Sequence, residues 1–142
     1  MRHAEIESDL RACFQVMHQL RPHLADEDDF SARMHRMRSE GYRLLAAWRG
    51  DAALALAGYR LQENLVYGRF LYVDDLVTDA PARGGRWGAR LLEALTTVAT
   101  EAGCVCLVLD TGVSNARAQR FYFREGLMTS ALRFHKRLEG SA

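Results

Sequence analysis

The stretch "DAPARGGRWGARLLEAL", residues 79–95, joins a glycine-containing turn to the start of an amphipathic helix. The first backbone amides of a helix have no intrahelical acceptor, and the helix dipole adds partial positive charge there. Glycines let a ligand approach the backbone closely, and Arg83 offers a cationic contact. The stretch therefore fits a phosphate ligand, although a plain turn with exposed arginines accounts for the same residues.

Spacing excludes two common phosphate-binding motifs at this turn. The glycines fall at positions 84, 85 and 88, which does not give the GxGxxG pattern of dinucleotide-binding folds. No Gly-Lys-Ser/Thr follows at the spacing of a P-loop. A phosphate ligand held here would need a different kind of turn.

The composition of the chain is that of one globular domain, residues 1–142. Hydrophobic residues make up 49% and charged residues 26%, and the net charge is +1. These values predict neither a nucleic-acid nor an acidic partner. There is no apolar run that could cross a bilayer and no signal-peptide pattern, so we expect a cytoplasmic protein with no membrane partner.

The cysteines and histidines predict neither disulfides nor a metal site. Three cysteines are an odd number, which argues against a disulfide framework and favours a reducing compartment. Cys104 and Cys106 lie two apart in an apolar stretch and would share one face of a strand. The five histidines are scattered, and neither CxxC nor HExxH occurs.

Hydrophobic spacing predicts helices first, then a hairpin, then alternating strands and helices. Ser8 is a candidate cap of the first helix, and Gly50-Asp51 is a two-residue hairpin signal. The predicted helices cover 8–20, 26–39, 86–102 and about 115–125, and the predicted strands cover 42–48, 52–61, 68–78, 104–110 and 127–138. This order predicts an α/β (mixed α+β) fold with a mixed sheet flanked by helices.

The glycine turn resembles the coenzyme A signature of the GNAT-type N-acetyltransferases, Arg/Gln-x-x-Gly-x-Gly/Ala. Arg83 matches its first position and Gly88 its last, whereas Arg86 stands where the signature has its first glycine. That departure leaves the geometry of the turn open, with Gly85 beside it as a second flexible position. Trp87 falls where the family usually has an aliphatic residue, and we expect it to anchor the helix in the core.

The resemblance extends to both sides of the turn. "YVDDLVT", residues 72–78, resembles the family strand that ends before this loop, especially in spermidine/spermine-type acetyltransferases. "NARAQRFYFREGL", residues 115–127, matches the family segment Asn-x-x-Ala-x-x-Phe/Leu-Tyr-x-x-x-Gly-Phe, with Asn115, Ala118 and Tyr122 at its defining positions. Two motifs in the right order identify the chain as similar to GNAT acetyltransferases over residues 70–128.

The resemblance implies a GNAT fold, with a central twisted, mixed, largely antiparallel sheet and acetyl-CoA as co-substrate. Two splayed parallel strands, 70–78 and 104–110, would form the coenzyme A cleft. Asn115 would touch the cofactor's arm, although it and Ser114 suit a helix N-cap equally well. The implied cofactor-binding residues are Leu76, Val77, Thr78, Arg83, Gly84, Gly85, Arg86, Trp87, Gly88, Ala89, Asn115, Ala118 and Tyr122.

The resemblance also implies which residues carry the chemistry. Tyr122 would protonate the leaving thiolate, and a backbone amide near Leu76 or Val77 would polarise the thioester carbonyl. Asp74 and Asp75 are the candidates for the base. Adjacent strand residues point to opposite faces, so only one of them reaches the acceptor directly unless the strand is bulged there. The sequence does not choose between them.

The acceptor implied by the family is a primary amine, in a small molecule or a peptide, attacked directly in a ternary complex. Carboxylates beside aromatic side chains suit a cationic amine, and five aromatic residues are candidates: Tyr42, Trp48, Tyr59, Tyr67 and Tyr72. A non-catalytic coenzyme A or acyl-CoA sensor is the main alternative, and an unrelated phosphate-binding domain is a third. A homodimer is left open, and no metal is expected.

Overall fold

A computed structural model describes residues 1–140, which divide into two units, Met1–Leu109 and the chain from Asp110 onward. The first unit contains five strands, three helices and a short 3-10 turn, and the second contains one helix. The helices are α1 (Glu7–Leu20), α2 (Glu27–Arg38), α3 (Trp87–Glu101) and α4 (Ala116–Arg124). The strands are β1 (Arg2–His3), β2 (Arg43–Arg49), β3 (Ala52–Asn64), β4 (Gly68–Thr78) and β5 (Cys106–Leu109), and the 3-10 turn is Ala80–Ala82.

The five strands form a single sheet in chain order, β1-β2-β3-β4-β5. Neighbouring strands from β1 to β4 are antiparallel, and β4 and β5 are parallel. A parallel pair needs a crossover between its strands, which α3 supplies here. The predicted mixed, largely antiparallel sheet flanked by helices is confirmed.

Side chains alternate along the central strands, so the sheet buries a cluster on each face. In β2, Leu44 joins the cluster beneath α1 and α2, whereas Leu45 joins the cluster beneath α3. The α1/α2-side core includes Leu10, Phe14, Met34, Tyr42 and Leu56, and the α3-side core includes Ala57, Tyr59, Leu71, Leu91 and Leu95. Covering both faces explains why β2 and β3 read as near-continuous apolar runs.

Local signals in the first unit are partly confirmed. Gly50 has φ 59° in the predicted two-residue hairpin loop, a conformation that glycine adopts without strain. Asp26 caps α2 by accepting a hydrogen bond from the Asp29 amide at 2.8 Å. The prediction for α1 was wrong, because Ser8 lies inside the helix and Ile6 holds the cap position without a side-chain bond.

Two predicted strands differ from the structure. The strand expected over 104–110 is only Cys106–Leu109, so Cys104 lies outside it and does not share a strand face with Cys106. The strand expected over 127–138 is absent from the structure as described. Its apolar alternation rests on Leu132, Phe134 and Leu138, all of which are exposed, so the buried face that favours a strand is lacking. Among the residues described, no helix is long and apolar enough to cross a membrane.

Candidate active site

Strand β4 changes its pairing halfway along its length. Its parallel pairing to β5 runs from Phe70 to Val73 and stops there, opposite Leu109. Its antiparallel pairing to β3 continues to Thr78. Within residues 1–109, the backbone groups of 74–78 that point away from β3 therefore have no strand partner. The predicted carbonyl-polarising amide is that of Leu76 or Val77. Because the amides of adjacent strand residues point to opposite edges, the one of the two that points away from β3 lies on this open edge.

A β-bulge sits at the point where the pairing changes. Val73 pairs with Tyr59 and Asp75 pairs with Gly58, so Asp74 is an extra residue without a partner on β3. A bulge of this kind re-aims the side chains that follow it. Asp75 consequently points to the α1/α2 side of the sheet. Adjacent strand residues were expected to face opposite sides unless the strand is bulged, and the bulge is present. Both carboxylates therefore reach one polar cluster.

The Asp75 carboxylate is bound through both of its oxygens. The Tyr42 hydroxyl donates to Oδ2 at 2.7 Å, and the Arg21 guanidinium donates to Oδ1 at 2.9 Å. Arg21 also donates to the backbone carbonyl of Asp74 at 3.0 Å. The Asp75 side chain is only 12% exposed. These contacts occupy Asp75 with structural partners.

The Asp74 carboxylate is held more loosely. Its Oδ2 accepts one hydrogen bond from Arg60 Nε, at 3.2 Å, and its side chain is 22% exposed. Arg60 is shared with Glu40, at 3.4 Å. Burial, assisted by the neighbouring Asp75 charge, raises the pKa of Asp74 above its usual value, while Arg60 opposes the shift. Asp74 is thus a stronger base than an ordinary aspartate.

Tyr42 enters this cluster from beneath β3. Gly41, with φ 90°, ends the turn after α2 and leads into Tyr42, whose ring is buried in the α1/α2-side core. Arg60 lies over that ring, 5.7 Å from its centroid. Burial and the adjacent Asp75 charge raise the pKa of Tyr42 well above its usual value. Its hydroxyl therefore stays neutral and remains a donor.

A glutamine on α1 fixes the segment that follows β4. Gln19 Nε2 donates to Asp79 Oδ1 at 2.7 Å, and the Ala80 amide donates to Gln19 Oε1 at 3.0 Å. The 3-10 turn starts at Ala80, beside these two hydrogen bonds, and it contains Pro81. The entry to the glycine turn is consequently tied to α1.

Arg86, the residue in place of the signature glycine, has the left-handed backbone that a glycine would adopt. Its φ is 59° and its ψ is 29°, and within the described chain it is the one non-glycine residue with positive φ. Gly84 is also left-handed, at φ 96°. A Cβ added at Gly85 would lie 2.8 Å from Trp87 Nε1, so Trp87 packs directly on that glycine. The turn keeps glycine-like geometry despite the arginine.

The start of α3 is open on its solvent side. Arg86 occupies the cap position without a side-chain hydrogen bond to the first amides of the helix. Trp87 packs against the α3-side core, as expected of an anchor, and the Arg90 guanidinium stacks on its ring at 4.1 Å. The amides of residues 87–89 therefore combine helix-end polarity with the two exposed arginines of the turn, Arg83 and Arg86.

The second unit carries the remaining predicted residues on α4. Asn115 caps this helix, its Oδ1 accepting from the Ala118 amide at 3.1 Å, so the capping role weighed for it is present. Tyr122 lies one helical turn beyond Ala118 and is partly buried. Burial raises the pKa of Tyr122, which keeps its hydroxyl protonated across the neutral range.

Comparison with known proteins bears on these motifs. Residues 3–127 match the sequence model of the acetyltransferase (GNAT) family. The chain belongs to the GNAT acetyltransferase family. An uncharacterized N-acetyltransferase of Bacillus subtilis, YhdJ, is 32% identical over 110 residues, 77% of each chain. The family membership makes this protein an acyltransferase.

Two further proteins show the range of this likeness. The aminoalkylphosphonate N-acetyltransferase of Salmonella typhimurium is 33% identical over 98 residues, which are 68% of this chain and 62% of that protein. The aminoglycoside N-acetyltransferase AAC(6')-Iy, crystallised with CoA, superposes with a TM-score of 0.83 at 15% identity, covering 97% of this chain and 93% of that one. The second likeness shows the fold.

In this GNAT protein, four residues of the site environment escaped prediction as site residues: Gln19, Arg21, Gly58 and Arg60. Each lies far from the motifs along the chain and joins the site through the fold. Of the four, the sequence could have indicated only Gly58, because an isolated glycine inside a strand pattern indicates a bulge or the close approach of another group. Both occur at this position.

The strained turn gives a stability prediction. We expect Arg86→Gly to raise the free energy of unfolding by about 0.5–1 kcal/mol, because left-handed backbone costs a non-glycine residue about 1–2 kcal/mol and the entropy of glycine offsets part of that. Chemical denaturation measures the change. Arg83→Gly is the matched control, since it removes the same charge from the same turn at φ −63°. We expect Arg83→Gly to lower stability, and equal effects of the two variants would contradict backbone strain at Arg86.

Proposed function

We propose that this protein transfers the acetyl group of acetyl-CoA to a primary amine by direct attack in a ternary complex. The observation that carries the proposal is the bulge in β4. It places a weakly held, partly buried carboxylate, Asp74, at the head of an open strand edge that leads to the glycine turn. We propose that residues 1–142 work as a single domain, and that the protein is cytoplasmic because its three cysteines are free thiols.

The residues of the turn fit the coenzyme. The backbone at Gly84 has open space around it, and the amides of residues 87–89 have no side-chain cap. These groups, with Arg83 and Arg86, would hold the pyrophosphate. The open edge of β4 at 76–78 would receive the pantetheine arm as an added strand, and Asn115 and Ala118 would contact that arm.

The chemical step needs an acceptor amine without its extra proton. An amine with a pKa near ~10 is mostly protonated at neutral pH. Asp74 binds the ammonium group and accepts a proton from it, directly or through one water, and its raised pKa assists the transfer. Acetyl-CoA supplies the thioester carbonyl, which a backbone amide near Leu76 or Val77 would polarise. The new N–C bond replaces the C–S bond.

Tyr122 completes the proton balance. As the C–S bond breaks, the phenolic O–H donates its proton to the departing sulfur. The acylated nitrogen still carries one proton more than an amide and releases it to solvent, and solvent restores the proton on the phenol and takes up the proton held by Asp74. The raised pKa of Tyr122 keeps it in the donating form. No cysteine occupies a motif position, which favours direct attack over a cysteine relay.

The acceptor class is narrowed by charge. Arg21 and Arg60 offset the two aspartates, so the cluster carries little net charge. A monoamine suits such a cluster better than a polyamine, because extra cationic groups would face the arginines. The relative that acts on aminoalkylphosphonates makes amines with an anionic group the first class to test.

Two measurements test the proposed function. Thermal shift with acetyl-CoA, CoA and ATP comes first, and we expect stabilisation by the two coenzyme A forms over ATP. Acetyl-CoA is then incubated with aminoalkylphosphonates, amino acids, aminoglycosides, polyamines and peptides, and both the released thiol and the acetylated product are measured. Binding without product from any amine would favour a coenzyme A sensor. Equal shifts with ATP would favour a general phosphate-binding domain.

A further inference from the structure

We infer that Tyr42 is a positioning residue, which together with Gly58 and Arg21 locks Asp75 in place and so keeps Asp74 presented to the acceptor. The inference rests on the proposed acetyl transfer, and it assigns different roles to the carboxylates of Asp74 and Asp75. Asp75 serves as an internal anchor of the bulge. Asp74 is the carboxylate that meets the amine.

The anchor uses both oxygens of Asp75. Tyr42 donates to one oxygen at 2.7 Å and Arg21 to the other at 2.9 Å, from two different elements. A carboxylate bound through both oxygens by two different elements is held in one orientation and has fewer acceptor positions left for a substrate. Asp74, by contrast, accepts a side-chain hydrogen bond from Arg60 on one oxygen, at 3.2 Å. The less committed of the two carboxylates is therefore Asp74.

Gly58 makes room for the anchor. A Cβ added to Gly58 would overlap the Tyr42 hydroxyl and ring, so the phenol occupies the space that a side chain on β3 would fill. Gly58 is also the residue that pairs with Asp75 just beyond the bulge. The phenol of Tyr42 thus reaches the Asp75 carboxylate at the position where Gly58, which has no side chain, pairs with Asp75.

The anchor has a consequence for strand register. A shift of one residue moves every following side chain to the other face of a sheet. The bulge makes such a shift at Asp74, and the Tyr42–Asp75 bond holds the strand in the shifted register. Without that bond, β4 loses a contact that favours the bulge over regular pairing. In regular pairing, Asp75 and the residues after it would return to the opposite face, and Asp74 would pair with β3 instead of lying unpaired in the bulge.

Tyr42→Phe tests the anchor, with Tyr59→Phe as the matched control. Both tyrosines are buried, but Tyr59 lies on β3 and packs in the α3-side core, with its hydroxyl bonded to His3 at 2.8 Å. Tyr59 is therefore excluded from the aromatic residues that could meet the acceptor. We expect Tyr42→Phe to lower kcat/KM for the amine about 10-fold or more by misplacing Asp74, with KM for acetyl-CoA nearly unchanged. Tyr59→Phe should leave both values near wild type. Equal kinetic effects of the two variants would overturn the inference.

Two further measurements keep the test independent of folding and of activity. Arg21 is only partly buried, so Arg21→Gln should fold and should show the same selective loss on the amine side, with partial recovery in Arg21→Lys. Hydrogen exchange at the amides of 74–76 should accelerate in Tyr42→Phe and not in Tyr59→Phe. Wild-type protein without acetyltransferase activity would refute the proposed function, whereas unchanged exchange would refute the anchor alone.

Discussion

Asp74→Asn will lower kcat/KM for the amine acceptor by about 100-fold or more, the largest effect expected of any single substitution in this protein. Asparagine keeps the size and one acceptor oxygen of the side chain but accepts no proton. It also removes the negative charge that attracts the ammonium group. The loss should appear in kcat and in KM for the amine, and KM for acetyl-CoA should change little.

The pH dependence should identify the proton acceptor. In the wild type, activity requires ionised Asp74, so kcat/KM should fall as the pH drops through the raised pKa of this carboxyl. That acid limb should disappear from the residual activity of Asp74→Asn. The same acid limb in both proteins would assign the titration, and the base, to another group.

The thermal stability of Asp74→Asn should not fall with its activity. A carboxyl whose pKa is raised by folding contributes stability below its unfolded pKa and loses that contribution as the pH rises through its folded pKa. Ionised Asp74 therefore gives the folded state no net proton-linked benefit at neutral pH, and its partly exposed pairing with Arg60 adds little. We expect Asp74→Asn to melt at or above the wild-type temperature.

Glu40→Gln is the matched control for Asp74→Asn. Glu40 shares Arg60 with Asp74, at 3.4 Å, and its side chain is largely exposed. Removing its charge should leave kcat/KM within about twofold of wild type, because an exposed pair of this kind contributes little. A loss in Glu40→Gln as large as that in Asp74→Asn would show that the state of Arg60, and not proton transfer by Asp74, controls the rate.

The sheet and helices could be predicted because the signals for them are local. The Gly50-Asp51 hairpin, the apolar stripe of α3 and the strand at 68–78 each appear within one short window of sequence. The failures are local as well. Residues 127–138 alternate like a strand, but apolar alternation predicts a strand only where it is matched by burial, and these apolar side chains are exposed.

The bulge at Asp74 lies beyond the reach of such windows. An aspartate pair on a strand does not indicate which residue is extra, because the bulge depends on what β3 and Tyr42 offer opposite it. Arg21, Tyr42 and Asp75 are separated by tens of residues along the chain and meet only when α1, β2 and β4 are assembled. The two carboxylates were therefore predictable as a pair, and their different duties were not.

The turn shows the same limit in another form. The signature predicted a glycine at position 86, and the sequence left the effect of arginine open. In the structure, Arg86 has a left-handed backbone, so the geometry of the turn does not require a glycine at this position. A motif specifies a backbone path that other residues can follow at a cost in strain.

Tyr122→Phe should lower kcat about 10- to 100-fold while leaving KM for acetyl-CoA near the wild-type value. The effect is expected to be smaller than that of Asp74→Asn because a thiolate is a fair leaving group even without protonation, given an ordinary thiol pKa near ~8.5. Phenylalanine keeps the aromatic ring on α4, so the helix and its packing should persist. Steady-state kinetics with acetyl-CoA and the best amine of the panel measure both constants.

The alkaline limb of the kcat profile separates an acid from a packing residue. Because burial raises the pKa of Tyr122, the wild-type kcat should decline only at strongly alkaline pH, and this decline should be absent in Tyr122→Phe. Tyr67→Phe is the control, since it removes a phenol from the β3–β4 hairpin, where the ring packs against Phe70. If kcat is unchanged in Tyr122→Phe, the proton on the departing sulfur comes from water, and the tyrosine of the motif acts through packing alone.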